Sequence, residues 1–331
     1  MNTTSPVRIG VLGAASIVPM ALTGPARAVP EAQVVALAAR DPQRAQAFAR
    51  KHHIPRVHQT YSELLADPEI DAVYNPLPNG LHAEWTIRAL QAGKHVLCEK
   101  PFASNARQAE EMAKAASGTG LVLSEAFAYR YHPLTRRVKE IMASGELGTV
   151  RHIEAQFCFL LPFPKKNIRF HYELAGGALM DCGCYPVSLI RFLAEAEPKV
   201  ELARARLFAP QVDQAMSADL AFADGRTAHL ACDMRFPGLF RSSLRIRGDA
   251  GTLYVLNPYH PHWFHWLSVR GRRGLYSGLV RGENVYVLQL RAFIGAIHGE
   301  VKLNTDPADA VGNMHVIDAI YEKAGLSKRG A

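Results

Sequence analysis

The chain lacks the long apolar run that a membrane-spanning helix requires. No apolar stretch in its 331 residues approaches the ~18 residues needed to cross a bilayer. Residues 1–6 also lack the basic segment and the apolar segment of a secretory signal. These absences exclude a membrane transporter and predict a cytoplasmic protein that does not act at a membrane.

The chain is also poor in cysteine. Its five cysteines include no CxxC pair of the kind that binds zinc, and their spacing is not that of a disulfide framework. The sequence therefore predicts reduced thiols and no metal site. The five residues are Cys98, Cys158, Cys182, Cys184 and Cys232.

Positive charge is abundant and unevenly placed. The formal net charge is +8, and residues 235–281 contain eight arginines but one acid, Asp249. Such a cluster can form a basic surface for nucleic acid or another anion. It equally fits arginines that alternate along strands and face solvent, and no nucleic-acid-binding motif accompanies it. We therefore expect a small-molecule substrate and no nucleic-acid partner.

The first 125 residues alternate strand signals with helix signals. This alternation predicts a parallel sheet with right-handed crossover helices. Asp41 and Pro42 supply an N-cap and an opening proline for one of the helices. The predicted strands are 7–12, 34–39, 72–75, 95–98 and 121–124, and the predicted helices lie near 15–28, 42–52, 81–92 and 105–117.

The pattern changes after residue 126. Over 150–159, apolar residues such as Ile153 and Phe157 alternate with polar residues such as Glu154, as in a strand with one buried face. Asp224-Gly225 separates two strand-like runs and predicts a hairpin. We therefore predict an α/β Rossmann domain over residues 1–126. Residues 127–331 are predicted to form an α+β domain with a mostly antiparallel open sheet, for substrate binding and oligomerisation.

A nucleotide-binding turn is predicted where the first strand ends. Gly13 follows that strand and matches the first glycine of the G-x-G-x-x-G fingerprint, whereas Ala15 and Val18 replace the other two. In a Rossmann fold the backbone N–H groups of this turn face a pyrophosphate. The position of the turn, with four more strand signals behind it, favours a nucleotide site over an ordinary strand–turn–helix.

The end of the second predicted strand indicates which nucleotide is bound. An enzyme that uses NAD usually places an acid there to hold the ribose 2′-hydroxyl. This strand instead ends in Arg40, followed by Asp41, and a guanidinium suits a 2′-phosphate. The sequence favours NADP, with NAD as the alternative if Arg40 is only a surface residue.

A lysine is predicted at the carboxyl edge of the sheet. The strand over 95–98 runs into Glu99, Lys100 and Pro101. Ligands of open α/β sheets bind at this edge, and Pro101 biases Lys100 towards an extended backbone. Partial desolvation would lower the pKa of a lysine enough for proton exchange. Taken alone, the residue fits a structural or surface lysine as readily.

The chain resembles the Gfo/Idh/MocA family of oxidoreductases, which includes glucose-fructose oxidoreductase and inositol dehydrogenase. The specific part of the resemblance is EKP at 99–101 together with GGALMDCGCY at 176–185. It covers nearly the whole chain, including the stretches 13–17, 74–90, 93–101, 125–133 and 313–321.

The resemblance implies roles for individual residues. Lys100 matches the family's catalytic lysine, and Asp181 matches an aspartate that orients substrate. Tyr185 replaces the histidine of the inositol-dehydrogenase branch, so the chain is similar to dihydrodiol dehydrogenase and glucose-fructose oxidoreductase. The expected cofactor-binding residues are Gly13, Ala14, Ala15, Ser16, Ile17, Arg40, Pro76, Leu77, Asn79, His82, Glu99, Lys100 and Pro101.

Two departures from the family pattern affect the expected substrate side. Residues 175–177 read Ala-Gly-Gly where the family usually has three glycines, and His171 with Tyr172 replaces an acid–proline pair. Arg130, Arg169 and His171 are expected around the substrate rim. His82 has an alternative role as a cap for the following helix.

The implied reaction is hydride transfer between a nicotinamide and a carbinol or carbonyl carbon of a sugar, polyol or cyclic diol. Either Tyr185 or Lys100 would carry the proton. An unperturbed tyrosine has a pKa of ~10, too high for easy base action at neutrality, so a neighbouring Lys100 cation would couple the two groups. Asp181 and Tyr185, four residues apart, are predicted to share a helix face.

Three alternatives remain open. Some relatives cleave glycosides with tightly bound NAD in a transient redox cycle, and others are sugar ketoreductases of biosynthetic pathways. A nucleotide-dependent sensor without turnover is the third. The resemblance also implies a homodimer or homotetramer, and the apolar residues Trp263, Phe264 and Trp266 fit either a partner-facing surface or a monomer core.

Overall fold

The computed structural model describes residues 5–162 and 167–330. Its contacts divide the chain into two compact units. The first comprises residues up to Ala103, then Arg107–Ala128 and Tyr286–Val311, and the second comprises Ser104–Ala106, Tyr129–Val285 and residues from Gly312 onwards. This division differs from the single boundary expected near residue 126, because a late segment of the chain groups with the first unit.

The first unit is built on a six-stranded parallel sheet with the order β3-β2-β1-β4-β5-β6. The order reverses direction between β1 and β4, which is the position where open α/β sheets bind their ligands. The Rossmann class predicted from the sequence is confirmed. The strands are β1 Val7–Leu12, β2 Ala32–Ala38, β3 Arg56–His58, β4 Ala72–Asn75, β5 His95–Cys98 and β6 Leu123–Glu125.

The helices that follow these strands begin at local capping signals. Asp41 precedes α1, and its side chain accepts a hydrogen bond from the Arg44 N–H. Thr60 caps α2 in the same way, through the N–H of Glu63. These helices are α1 Pro42–His52, α2 Tyr61–Ala66, α3 His82–Gln91 and α4 Ala106–Ala116.

The helical segment predicted near 15–28 is present in part and is divided into two short helices. The structure has a short π-helix over Pro19–Thr23 and a separate 3₁₀-helix over Pro25–Ala28. Pro25 has no N–H to donate and its ring clashes with the preceding turn, so a regular helix cannot run through it.

The second unit is built on an eight-stranded sheet with the order β14-β13-β12-β11-β7-β10-β9-β8. Neighbouring strands are antiparallel except for β7 and β10, so the predicted α+β class is confirmed. The strands are β7 Val150–Leu160, β8 Lys199–Ala209, β9 Val212–Ala221, β10 Thr227–Asp233, β11 Arg235–Gly248, β12 Thr252–Leu256, β13 Trp266–Gly271 and β14 Gly274–Gly278.

One face of this sheet is buried and the other carries the arginines. Ile153, Ala155 and Phe157 of β7 are buried, while Glu154 is only half-buried. On β11, exposed Arg245 and Arg247 flank buried Ile246. The arginines between 235 and 281 thus include solvent-facing positions that alternate along a strand.

The remaining helices are α5 Pro133–Ala143, α6 Cys184–Ala194, α7 Val285–Ile297 and α8 Pro307–Lys323. Among the helices of the described residues, none combines the length and apolar character needed to span a membrane. Likewise, no three His, Cys, Asp or Glu side chains of residues 5–162 and 167–330 are grouped as a metal site. All five cysteines are buried and outside any disulfide.

Candidate active site

The turn after β1 requires glycine. Gly13 has a φ of +96°, and its N–H donates to the Ala38 carbonyl at 2.7 Å. A Cβ at this position would lie 3.1 Å from Leu77 Cδ2, so a side chain would meet both strain and crowding. Because Gly13 has no side chain, the backbone of this turn can come close to a bound ligand. Of the residues expected to bind cofactor here, Ala14 is buried, Ala15 and Ile17 are half-buried, and Ser16 is exposed.

Two guanidinium groups lie near the end of β2. Arg40 is exposed at the bend after the strand. Arg44, in the first turn of α1, donates from Nη2 to the Ala14 carbonyl at 2.9 Å, which ties α1 to the turn after β1. Both cations suit a phosphate group at this edge. Sequence reasoning named Arg40 and missed Arg44, because its contact with Ala14 joins residues 30 positions apart.

His82 lies beneath the loops at the end of β4 and β5. Its ring is fully buried, with Nδ1 2.9 Å from the Pro101 carbonyl and Nε2 2.7 Å from the Leu77 carbonyl. Burial lowers the pKa of His82, so at neutral pH the ring donates its one proton to one of these two oxygens. The side chain connects the segments 76–79 and 99–101. It does not face solvent, in contrast to the cofactor contact expected for it.

Asn75 fixes the start of the same loop. Its amide nitrogen donates to the His82 carbonyl at 3.2 Å and to Thr86 Oγ1 at 3.1 Å, and its amide oxygen accepts from the Leu77 N–H at 3.4 Å. Of the expected cofactor residues in this loop, Pro76 and Leu77 are buried and Asn79 is half-buried.

Lys100 stands at the carboxyl end of β5, as predicted. It and Glu99 are half-buried, whereas Pro101 and the last three residues of β5 are buried. The peptide bond between Lys100 and Pro101 is cis. The Lys100 N–H donates to Glu99 Oε2 at 3.3 Å. The lysine therefore lies at the edge where ligands of such sheets bind.

The buried side chain of Tyr74 holds the carboxylate of Glu99 through a hydrogen bond. Its hydroxyl donates to Glu99 Oε1 at 2.5 Å, and its side chain has no exposed surface. Burial, together with the charge of Glu99, raises the pKa of Tyr74, so the hydroxyl keeps its proton and remains a donor. Sequence reasoning missed Tyr74, because a tyrosine in a buried strand looks like an ordinary core residue.

In the second unit, Asp181 and Tyr185 occur at the start of α6. Asp181 lies in a π-helical turn, Leu179–Gly183, and Tyr185 follows in the first turn of α6. The turn that carries Asp181 is therefore π-helical, where the sequence predicts the start of a regular helix. Within residues 175–190, all described by the structure, Asp181 and Tyr185 are the two residues that keep partial exposure.

Arg169 forms an ion pair with Asp181. Its Nε lies 2.8 Å from Asp181 Oδ1. The charge of Asp181 raises the pKa of Arg169, and Tyr185 contributes in the same direction. The guanidinium side chain is 43% exposed and the carboxylate 12%, so the pair is open to solvent on one side. A cation and a carboxylate are thus paired at a partly exposed position, and the half-buried phenol of Tyr185 follows four residues after the carboxylate.

Aromatic rings surround Tyr185. Its ring centroid lies 5.3 Å from that of Phe157 and 5.4 Å from that of Tyr259. His260 is 6.1 Å away and stacks on Trp263 at 4.6 Å. Such rings exclude water and offer flat apolar surfaces. No local sequence pattern predicts this cluster, because its members come from distant strands and loops.

Arg130 and His171 do not join this group. Arg130 is 5% exposed, donates to Ser188 Oγ at 3.0 Å and packs over Phe192. It is thus an interior residue and not the rim residue expected from the sequence. His171 pairs with Glu173 at 3.2 Å, and both of these side chains are exposed.

Two family profiles match the chain. Residues 7–127 match the profile described as an oxidoreductase family with an NAD-binding Rossmann fold. Residues 135–254 match the C-terminal domain of the Gfo/Idh/MocA family. The two matches fall on the parallel sheet and on the antiparallel sheet, respectively.

Characterised proteins are similar over nearly the full length. A D-xylose 1-dehydrogenase (NADP(+)) of Haloferax volcanii is 35% identical, over 95% of this chain and 96% of the relative. A dTDP-3,4-didehydro-2,6-dideoxy-alpha-D-glucose 3-reductase of Saccharopolyspora spinosa is 34% identical, over 98% of each.

A solved structure supports the same relationship. The 3-ketoreductase of Actinomadura kijaniata, in complex with NADP and TDP-benzene, superposes with a TM-score of 0.89. It shares 30% identity, and the match covers 96% of this chain and 98% of that one. Together with the two profiles, these similarities show that the chain belongs to the Gfo/Idh/MocA family of oxidoreductases.

Proposed function

We propose that this protein is an NADP-dependent oxidoreductase that acts on a carbinol or carbonyl carbon of a sugar, polyol or cyclic diol. The observation that carries the proposal is the carboxyl edge of the parallel sheet, where half-buried Lys100 follows β5 and the glycine turn follows β1. The named relatives act on sugars and on a nucleotide-linked sugar, which supports this substrate class.

The first unit fits a dinucleotide with a 2′-phosphate. A Cβ at Gly13 would crowd the side chain of Leu77, so the turn needs glycine here. The backbone N–H groups that follow Gly13 can face a pyrophosphate. Arg40 and Arg44 supply cations for the additional phosphate. When bound, the nicotinamide would accept or supply the hydride. NAD remains the alternative cofactor, and its relative affinity is directly measurable.

We propose that Lys100, Tyr185 and Asp181 all serve this reaction. Lys100 contributes a cation at the sheet edge, and the phenol of Tyr185 exchanges the proton of the substrate hydroxyl. Tyr185 adds to the raised pKa of the Arg169 guanidinium, so the cation and the phenol interact electrostatically. Asp181, held by Arg169, orients a hydroxyl of the substrate, and the aromatic rings around Tyr185 limit access of water.

The test is turnover in the purified protein. Aldoses and dihydrodiols are supplied with NADP⁺, and a nucleotide-linked ketosugar with NADPH, while the reduced-nicotinamide absorbance is followed. Lys100→Met is expected to lower kcat by about 10²–10⁴-fold, with an unchanged melting-temperature shift on NADP⁺ addition. Lys114→Met, at an exposed lysine of α4, is the matched control and should retain activity.

The outcomes separate the alternatives. Full activity of Lys100→Met would contradict the role of the lysine. Cleavage of a glycoside without net change in the nicotinamide would replace the proposal with the transient redox route. Nucleotide binding without any turnover would favour a sensor.

We also propose that the protein is cytoplasmic and forms a homodimer or homotetramer. Buried thiols outside any disulfide support a reducing compartment. Trp266 on β13 is 46% exposed and pairs with Leu256 of β12, which is 37% exposed, so the sheet presents an apolar strip. Light scattering should show a lower mass for Trp266→Lys, and Val301→Lys, at an exposed valine of the first unit, is the control.

A further inference from the structure

A fully buried ion pair lies in the second unit, away from solvent. Arg329 Nη2 is 2.8 Å from Asp213 Oδ1, and neither side chain has exposed surface. The same carboxylate accepts hydrogen bonds from the Tyr321 hydroxyl at 3.0 Å and from the Leu179 N–H at 2.7 Å. Buried charges are kept only where partners compensate for lost water. Here the compensating partners include the backbone of the segment that carries Asp181.

Arg329 also binds the turn before that segment. Its Nε donates to the Gly176 carbonyl at 2.7 Å, and its Nη1 donates to the Ser327 carbonyl at 3.0 Å. The guanidinium lies 4.0 Å from the ring centroid of Tyr321. One planar group thus makes three directed contacts, an arrangement that the single ammonium of lysine cannot reproduce.

The turn leaves no room for another arrangement. Gly177 has a φ of +134°, and a Cβ there would collide with the Asp213 carboxylate and lie 3.0 Å from Arg329 Nη2. The Gly177 N–H donates to the Arg169 carbonyl at 2.8 Å. The turn therefore joins the buried ion pair to the residue whose side chain holds Asp181.

The segment that contains Arg329 is itself anchored. Asn105 Nδ2 donates to the Arg329 carbonyl at 2.7 Å, and the Tyr172 hydroxyl donates to the Lys328 carbonyl at 2.9 Å. The Ser327 N–H donates to Gln211 Oε1 at 2.8 Å. These bonds hold the backbone of residues 327–329 in place, so the guanidinium of Arg329 can act as a rigid support.

We propose that Arg329 is a positioning residue for the reactive segment, by which we mean residues 179–185. It acts through Asp213 on the first residue of this segment and through the glycine turn on Arg169. The inference rests on the proposed function, because it assigns Arg329 a part in the same reaction. Arg329 itself touches no reacting group. It sets the direction in which the partly exposed Asp181 and Tyr185 face.

The kinetic test compares two buried arginines of the same unit. Arg329→Lys and Asp213→Asn are measured beside Arg191→Lys, whose arginine is buried and bonded to Glu197 at 2.6 and 2.7 Å. Enzyme concentrations are normalised by NADPH titration. The first two variants are expected to lower kcat by about 10- to 100-fold and to raise KM, since small misplacements of reacting groups have effects of this size. Arg191→Lys should change kcat less than about twofold.

Hydrogen exchange gives a readout that does not depend on turnover. In Arg329→Lys the amides of the reactive segment are expected to exchange faster than in the wild type, whereas amides of residues 95–101 should be unchanged. Unaltered exchange at the reactive segment would overturn the proposal. So would normalised kcat and KM values that match the wild type while the melting temperature falls, since this is the result of a purely structural role.

Failure of the proposed function would look different. If the wild type turns over none of the substrates offered, the assignment of the reaction fails. Amide hydrogen exchange of the reactive segment in Arg329→Lys then decides separately whether the Arg329–Asp213 pair holds this segment in place.

Discussion

The second unit contains two arginine–aspartate ion pairs that have the same nitrogen–oxygen distance but differ in their exposure to solvent. We call Arg329–Asp213 the closed pair and Arg169–Asp181 the open pair. Both have a nitrogen–oxygen distance of 2.8 Å. The side chains of the closed pair have no exposed surface, whereas those of the open pair are 43% and 12% exposed. Solvent access, and not distance, therefore separates a group that supports the backbone from one that can meet a substrate.

The largest expected effect is on the stability of the closed pair. Asp213→Asn should lower the free energy of unfolding by about 3–5 kcal/mol, because Arg329 is left as an uncompensated buried charge. Urea-induced unfolding measures this change. Arg169→Met at the open pair should cost less than about 1 kcal/mol in the same assay, since solvent compensates exposed partners. Equal losses at the two pairs would remove the distinction between them.

The next effect is on turnover through the open pair. Asp181→Asn should lower kcat/KM by about 10²-fold, the size found when one preorganised polar group of an active site is removed. Its unfolding curve should stay close to that of the wild type. Steady-state kinetics with NADPH absorbance provide the measurement, and unchanged kcat/KM would show that the open pair is only a surface contact.

A buried imidazole provides a third case, in which the group is kept neutral. His132 is 2% exposed, and its Nδ1 accepts the Leu134 N–H at 3.1 Å as the N-cap of α5. Burial, followed by the nearby His265 and His262, lowers the pKa of His132 to about 4. Between pH ~6.5 and ~4 the unfolded chain binds a proton there that the folded chain does not, so stability falls as the pH is lowered, by roughly 3 kcal/mol.

Unfolding measured across this pH interval tests the prediction. His132→Asn keeps a capping oxygen and cannot titrate, so its stability should depend less on pH between ~6.5 and ~4. An identical slope in the variant and the wild type would assign the acid sensitivity to other groups.

The smallest expected effect is at an arginine that faces solvent. Arg40→Ser should weaken NADP⁺ binding by about tenfold, the equivalent of one charge-assisted hydrogen bond, and leave NAD⁺ binding unchanged. Isothermal titration with both nucleotides measures this. Arg50→Ser, at another exposed arginine of α1, is the control. Parallel losses for NADP⁺ and NAD⁺ would argue against contact with a 2′-phosphate.

Local signals predicted the parallel sheet well. The bounds of β1, β4, β5 and α1 agree with those predicted from the sequence, because each has either a short apolar run or an N-cap followed by proline. β3 was missed, since its three residues are only half-buried and carry no alternating pattern. The same locality allowed Lys100 to be assigned to a strand end.

Contacts between distant residues explain what the sequence did not reveal. The partners of Arg329 in the closed pair and at the glycine turn are 116 and 153 residues away, so no window of sequence contains both. Arg130 was expected at an exposed rim because its charge suggested solvent, yet Ser188 and Phe192 accommodate it inside. The charge of a side chain therefore does not predict its exposure when residues of another helix or strand can bind it in the interior.

The separation between Gly176 and Arg329 also has a consequence during synthesis. The turn leaves the ribosome 153 residues before the arginine that binds it, a delay of roughly 8 to 30 s at ordinary translation rates. Asp213 is itself made 116 residues before Arg329, so its carboxylate has no Arg329 to pair with for most of that interval. The second unit therefore cannot reach its final form before Arg329 has been translated, which happens long after the reactive segment.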